Sequence, residues 1–279
     1  MNATELLASP LIEGSPYWQM RHGERFALEG VLATLKPRLA IEIGTAEGGS
    51  LRRIASHSEE VHSFDIVAEI VGLEAELANV RTHVGDSAVL VPEFLSGLEE
   101  EGRGVDFVLV DGDHSAAGVR RDAEALLASE ACRRAVIVFH DSANDDVRAG
   151  LEAVRFEDYP HVAFANLDFI SGYLAADPVR HLEIWNGLAI VVLDADRQEP
   201  PIEEPAFFDS ALVLRQGRER AQARSGDGEA EPVQQAPEQA PASYAQMLAR
   251  VDRRAKAAAL ASGALVVLAT GLAVRRSSR

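Results

Sequence analysis

Between Glu24 and Asp194 the chain alternates short β-rich runs with helical ones, and this alternation restricts its fold more than any other feature. Strands are expected at Leu39–Ile43, Val61–Asp65, Val80–Val84, Val105–Asp111, Ala135–His140, Val162–Asn166 and Leu188–Leu193. Helices are expected at Ser50–Ser58, Ala68–Ala78, Ala88–Leu98, Ala116–Ala128 and Asp146–Val154, after an earlier one closed by Lys36-Pro37. A parallel neighbour is reached only through a crossover, so repeated strand–helix–strand units build a mostly parallel sheet. The pattern predicts an α/β fold, a Rossmann-like seven-stranded mostly parallel sheet with helices on both faces. The irregular stretch from Phe169 to Trp185 is expected to form an antiparallel edge hairpin or a pocket wall.

Composition divides the rest of the chain. Residues 24–197 form the expected α/β domain and residues 1–23 a segment flanking its pocket. From about Gln198 the chain turns to Pro, Glu, Gln and Ala ("EPPIEEP", "GDGEAEPVQQAPEQAPAS"), too poor in large apolar residues to build a core, and 198–243 is expected to be a disordered linker with local docking at Ala206–Leu214. Residues 244–279 are expected to be a C-terminal apolar helix. Its uncharged run of 18 residues, Ala257 to Val274, is flanked by Arg253, Arg254, Lys256, Arg275, Arg276 and Arg279. That run is a candidate transmembrane segment, with a buried or partner-binding helix as the other reading. No secretory leader opens the chain, so a cytoplasmic catalytic domain anchored to a membrane by its C-terminus is the expected arrangement. A net charge of −17 disfavours nucleic acid as a partner, because phosphate binding needs clustered Lys and Arg. The single cysteine, Cys132, leaves no intrachain disulfide.

The chemistry-bearing residues fall at the ends of the expected strands. In "LAIEIGTAEGGS" a hydrophobic strand delivers Glu42, and Gly44, Ala46, Gly48 and Gly49 form a small-residue turn that opens a helix at Ser50. The spacing is not the GxGxxG of dinucleotide loops, and an acidic residue before the first glycine disfavours a phosphate and favours a cationic ligand. Taken alone, such a turn is also an ordinary tight connection. The second strand ends in Asp65, where a carboxylate could accept the hydroxyls of a ribose, and the third in Asp86 and Ser87. The fourth ends in "VLVDGDHS", bringing Asp111, Asp113 and His114 to the same rim. In such sheets ligands bind beyond the carboxyl ends of the strands, although a helix N-cap is the other reading for any one of these residues and suits Asp86, Asp111 and Ser115 well.

The segments "EIGTAEGGS", "FD", "GDS", "VDFVLVDGDHSAAGVRRDAEAL" and "VIVFHDS", in this order, resemble the motifs of class I S-adenosylmethionine-dependent methyltransferases. The resemblance spans roughly Glu24 to Leu193 and is nearest to the branch of cephalosporin-hydroxylase-like enzymes and, further off, catechol and caffeoyl-CoA O-methyltransferases. It implies that Glu42, Gly44, Thr45, Ala46, Gly48 and Ser50 border the aminocarboxypropyl and sulfonium part of S-adenosyl-L-methionine. Asp65 would hold its ribose and Asp86 with Ser87 its adenine, with Asp111 also at the donor site. In the metal-dependent branch Mg2+ or another divalent cation is held at the ends of the fourth and fifth strands, which implies Asp111, His140 and Asp141 as ligands. His140 stands where that branch carries an aspartate. A hydrogen-bonded core His140 with Asp141 capping a helix is the other reading. His114, in the position of the branch's catalytic lysine, is the expected base toward an acceptor hydroxyl near neutral pH, or a loop cap. The implied reaction is O-methylation of a small molecule or sugar. The alternatives are a non-catalytic donor-binding or scaffolding module at a membrane and, less favoured, a nicotinamide oxidoreductase.

Overall fold

A computed structural model describes residues 5, 9–12, 18–175, 181–197 and 209–226. The chain divides into two compact units, Met1–Arg224 and Ser225–Arg279, and the second, apart from residues 225 and 226, lies outside the described residues. The first unit contains helix α1 (His22–Leu35), strand β1 (Leu39–Ile43), α2 (Gly49–His57), β2 (Glu60–Asp65), a 3-10 helix (Ala68–Ala75), β3 (Val80–Val84), α3 (Ser87–Glu100) and β4 (Phe107–Val110). There follow α4 (Ala116–Ala128), β5 (Val136–His140), α5 (Asp145–Glu152), β6 (Val162–Ile170), β7 (Tyr173–Leu174), β8 (Ile184–Trp185), β9 (Leu188–Leu193) and α6 (Ser210–Gly226).

The seven-stranded sheet runs β3-β2-β1-β4-β5-β9-β6. Strands β3 to β5 are parallel, β9 runs antiparallel to β5, and β6 antiparallel to β9. Every residue of β1 is buried because both sheet faces are covered. Period-two alternation sends Leu39, Ile41 and Ile43 into one apolar cluster and Ala40 into the other. Helices α3, α4 and α5 close the first face through residues such as Leu95, Leu126 and Leu151, and α1, α2 and the 3-10 helix close the second through Leu32, Ile54 and Ile70. Each side chain so buried contributes roughly 1.5–3 kcal/mol. Chain order reverses between β1 and β4, and a crevice opens there at the carboxyl ends of the strands.

The expected seven strands and their helices are present, with three differences. The expected helix at Ala68–Ala78 is a shorter 3-10 helix, Ala68–Ala75. The weak strand expected at Val162–Asn166 runs on to Ile170, because pairing with β9 resumes after a register shift between Asn166 and Ile170. The irregular stretch beyond it contains a two-stranded sheet, Tyr173 and Leu174 against Trp185 and Ile184.

The expected disordered linker is corrected where it is described, since Ser210–Gly226 is a helix. Ala211 is 1% exposed, the Ser210 hydroxyl donates to Asp168, and Arg218 with Arg215 grips Asp145. Apolar content alone missed these polar contacts. Residues 198–208 and 227–243, and the C-terminal helix with its candidate span 257–274, lie outside the described residues, so the features that suggested membrane contact and scaffolding are not described. Among the described residues no helix is long and apolar enough to cross a membrane. Cys132 is buried and unpaired, and burial pushes its thiol up to about 12.

Candidate active site at the carboxyl ends of the strands

The turn after β1 is held by backbone that only small residues permit. Gly44 (φ 87°) and Gly48 (φ 75°) are left-handed, as is Ala46 (φ 45°). A Cβ on Gly44 would lie 2.1 Å from the Asp111 carbonyl oxygen, so the first turn and the end of β4 meet backbone to backbone. Asp65, at the tip of β2, locks the turn from the other side. Its Oδ2 accepts the amide protons of Thr45 (2.8 Å) and Ala46 (3.0 Å), and its Oδ1 accepts that of Val67 (2.9 Å). Acceptor capacity left over is therefore concentrated on Oδ1.

Glu42 corrects one expectation. It is 0% exposed and stands behind the turn, accepting hydrogen bonds from Ser50 Oγ (2.6 Å) and Ser63 Oγ (3.2 Å), while Ser63 in turn bonds Thr45 Oγ. Burial pushes its carboxyl up to about 8 against the pull of the two serine hydroxyls. At neutral pH it shows the cleft no negative charge, so Glu42 shapes the turn through Ser50 and Ser63 rather than facing a cationic ligand. The linkage sign follows from the shift: the folded chain keeps a proton that unfolded glutamate releases above about 4.5, so stability declines as pH rises between about 4.5 and 8. Glu42→Gln removes the titration. Its melting temperature is expected to gain on the wild type from roughly pH 5 to 8, whereas profiles that stay parallel would mean that Glu42 is ionised throughout.

At the tips of β3 and β4 helix starts set the geometry. Asp86 caps α3 by accepting the Ala88 amide (2.9 Å), and Ser87 Oγ points its proton at Asp122 (3.3 Å). Burial raises the Asp122 carboxyl to about 6. Ser115 caps α4, and Asp113 accepts the Ser115 amide (2.9 Å). These cap readings hold for Asp86 and Ser115, while Asp86, Ser87 and Asp113 all still line the cleft.

The densest chemistry lies between the ends of β4 and β5. His140 Nδ1 is 2.9 Å from Asp111 Oδ1, and His114 Nε2 is 2.9 Å from Asp141 Oδ2 and 3.6 Å from Asp111 Oδ1. Among the described residues the group suited to a metal ion is Asp111, His114 and Asp141, whose ligand atoms lie within 4.8 Å of one another. The expected ligand His140 also stands beside both carboxylates, its Nδ1 3.5 Å from Asp141 Oδ2. His140 is 6% exposed and engaged on both nitrogens, its Nε2 standing 3.3 Å from Glu24 Oε1 and 3.2 Å from Asn186 Nδ2. Burial opposes charge on His140, but Asp111 and Asp141 outweigh it and hold its pKa well above the usual histidine range. The same carboxylates raise His114 to about 10, and although burial works the other way, His140 and His114 bring Asp111 down to about 2. His114 thus sits in the cleft with its Nε2 against both carboxylates rather than as an isolated loop side chain.

These residues surround one cleft of about 950 Å³, lined by Gly44, Thr45, Ala46 and Ser50 from the first turn, by Asp65, Asp86 and Ser87 from the next two strand ends, and by Asp111, His114, His140 and Asp141. Trp18, Met20 and Trp185 close its far side, with the Trp185 ring edge-on to His114 at 6.0 Å. The Tyr173 ring lies under Arg21, its centroid 4.3 Å from the guanidinium carbon. Sequence reasoning did not single out Glu24, Asn186 or Asp122, although Asp122 lies within the segment "VDFVLVDGDHSAAGVRRDAEAL" and Glu24 three residues after the helix cap.

Residues 41–142 match a family model described as a methyltransferase domain. No curated protein matches the chain. Among solved structures the chain is similar to the O-methyltransferase TomG from Streptomyces achromogenes, involved in tomaymycin synthesis and solved with S-adenosylmethionine, at 18% identity over 70% of this chain and 91% of that one (TM-score 0.46). It is similar to an O-methyltransferase from Bacillus cereus solved with S-adenosylhomocysteine, at 16% identity over 68% and 89% (TM-score 0.44). It is also similar to the N-methyltransferase NodS from Bradyrhizobium japonicum, at 13% identity over 68% and 95% (TM-score 0.42).

Proposed function

We propose that this chain, a methyltransferase by the domain it carries over residues 41–142, moves the methyl group of S-adenosylmethionine to a hydroxyl oxygen of a small-molecule acceptor. The observation that carries this reading is the convergence of five strand tips, β1 to β5, on one cleft where chain order reverses between β1 and β4 and Gly44 lets the turn close onto the Asp111 backbone. The donor lies along the β1 to β3 side: its methionine part against the turn from Gly44 to Ser50, its ribose at Asp65 Oδ1, its adenine beside Asp86 and Ser87. The acceptor enters from the side of Trp18 and Trp185 and presents its oxygen near Asp111, His114 and Asp141.

Methyl transfer is an in-line displacement, so the residues act mainly by holding two reactants in line. The acceptor hydroxyl faces the Asp111–His114–Asp141 cluster, whose three groups are in such contact that they titrate together rather than singly. The donor set of two carboxylates and an imidazole suits a hard divalent cation such as Mg2+ or Mn2+. Bound there, such a cation would polarise the acceptor hydroxyl. His140 keeps Asp111 turned toward the cleft.

Titration of the full chain with S-adenosylhomocysteine, with and without Mn2+, tests the donor and metal readings separately. Binding without metal is expected. Asp111→Asn is expected to keep that affinity within a few-fold while weakening Mn2+ binding by about 10-fold or more. No binding under either condition would overturn the donor assignment, and full transfer to a catechol probe in the presence of chelator would remove the metal.

A further inference from the structure

We propose that Glu24 is the positioning residue that ties the first helix to the reaction centre: its carboxylate holds His140 and the Asn186–Gly187 turn, and through them sets where Asp111 and Asp141 stand. This rests on the reading of Asp111, His114 and Asp141 as that centre.

Glu24 is the third residue of α1 and accepts the Arg21 amide (2.7 Å), half of an ordinary capping box. A cap glutamate needs no more than that and is at home in water. Glu24 is 1% exposed, and its other contacts come from the far end of the domain. Asn186 Nδ2 donates to Oε2 (2.8 Å), the Gly187 amide donates to Oε1 (2.8 Å), and His140 Nε2 stands 3.3 Å from Oε1. A buried carboxylate is tolerated only when it is so saturated, and removal of one partner is strongly unfavourable.

The groups it holds are those that need holding. Asp141 (φ 53°) and Asn186 (φ 62°) are both left-handed without being glycine. They brace each other, the Asn186 amide donating to Asp141 Oδ1 (2.5 Å) while the Gly187 and Asn186 carbonyls accept the amides of Ser142 (3.2 Å) and Ala143 (3.1 Å). His140 carries the contact on to Asp111 Oδ1 at 2.9 Å. One carboxylate thus reaches both acidic members of the centre, each through a single intermediary, and anchors the acceptor side of the cleft to the same point.

The test uses the full chain labelled with 15N-histidine. Glu24→Gln keeps the volume but puts an amide donor where two donors now point. The ring N–H signals of His140 and also of His114, which Glu24 does not touch, are expected to shift. Mn2+ affinity is expected to fall about 10-fold, with S-adenosylhomocysteine affinity unchanged within about twofold. Adding Asn186→Asp restores a donor–acceptor pair in reverse and is expected to recover most of the Mn2+ affinity. A lower melting temperature with unmoved His114 signals would reduce Glu24 to a helix cap and overturn the proposal, as would a parallel fall in donor-product affinity. If the wild type binds no Mn2+, the metal reading falls and the His114 signals alone decide. If Glu24→Gln does not fold, Asn186→Gly, which keeps the left-handed backbone and deletes the amide, is read in the same way.

Discussion

Gly44→Ala is expected to destabilise the folded chain by roughly 3–5 kcal/mol and to abolish donor binding in whatever fraction still folds. Two costs add. The backbone at φ 87° lies in a region that an L side chain rarely adopts, and the new methyl carbon would sit 2.1 Å from the Asp111 carbonyl oxygen and 2.4 Å from its carbon. Backbone cannot swing aside as a side chain can, so relief requires β1 and β4 to part at the crevice floor. Gly48 is the control: it is also left-handed, but its Cβ would meet Leu73 Cδ1 at 2.8 Å and Arg52 Nη1 at 3.0 Å, both ends of flexible side chains. Gly48→Ala is therefore expected to cost about 1–2 kcal/mol and to leave a folded protein. Thermal unfolding and calorimetric titration with S-adenosylhomocysteine read both variants. A wild-type melting temperature for Gly44→Ala would mean that the two strand ends do not meet as described.

Asp65→Ala carries the second large effect, on binding rather than on folding. It removes the acceptor for the Thr45 and Ala46 amides, so the turn that should meet the donor loses its brace together with the proposed ribose contact. Affinity for S-adenosylhomocysteine is expected to fall by at least ~100-fold, the size of two charge-assisted hydrogen bonds lost together. Asp65→Asn keeps one carboxamide oxygen for the turn and loses the charge, and is expected to fall between. Unchanged affinity in Asp65→Ala would take this carboxylate out of the donor site, whereas equal losses in Ala and Asn would assign its whole effect to charge.

The sheet was legible because its central strands are buried on both faces. Runs such as Leu39–Ile43 and Leu188–Leu193 are continuously apolar, and the structure keeps both sets of bounds unchanged. Strand tips were legible for a related reason, since polar residues right after such runs have only the rim to occupy. What could not be read is pairing across the chain. Glu24 meets Asn186 at a separation of 162 residues, and Asp122 meets Ser87 at 35, with no local pattern to announce either contact. The different surroundings of His114 and His140 have the same origin. Sequence places both near Asp111, but only packing shows that His140 is enclosed by Glu24 and Asn186 while His114 is left half-exposed in the cleft. Glu42 was misjudged because a strand-end position says nothing about depth behind a turn.

The grip of α6 on the domain changes where the catalytic part of this protein stops. Asp168 is shared between Arg148 and Ser210, and Asp145 is held by Arg215 and Arg218. A polypeptide ended after the last strand, near residue 200, would take both arginines from Asp145, which is 45% exposed in the first turn of α5, and leave Asp168 short of one donor. The first turns of what composition presents as a spacer therefore pack on the α/β domain, through buried Ala211 and through these polar contacts.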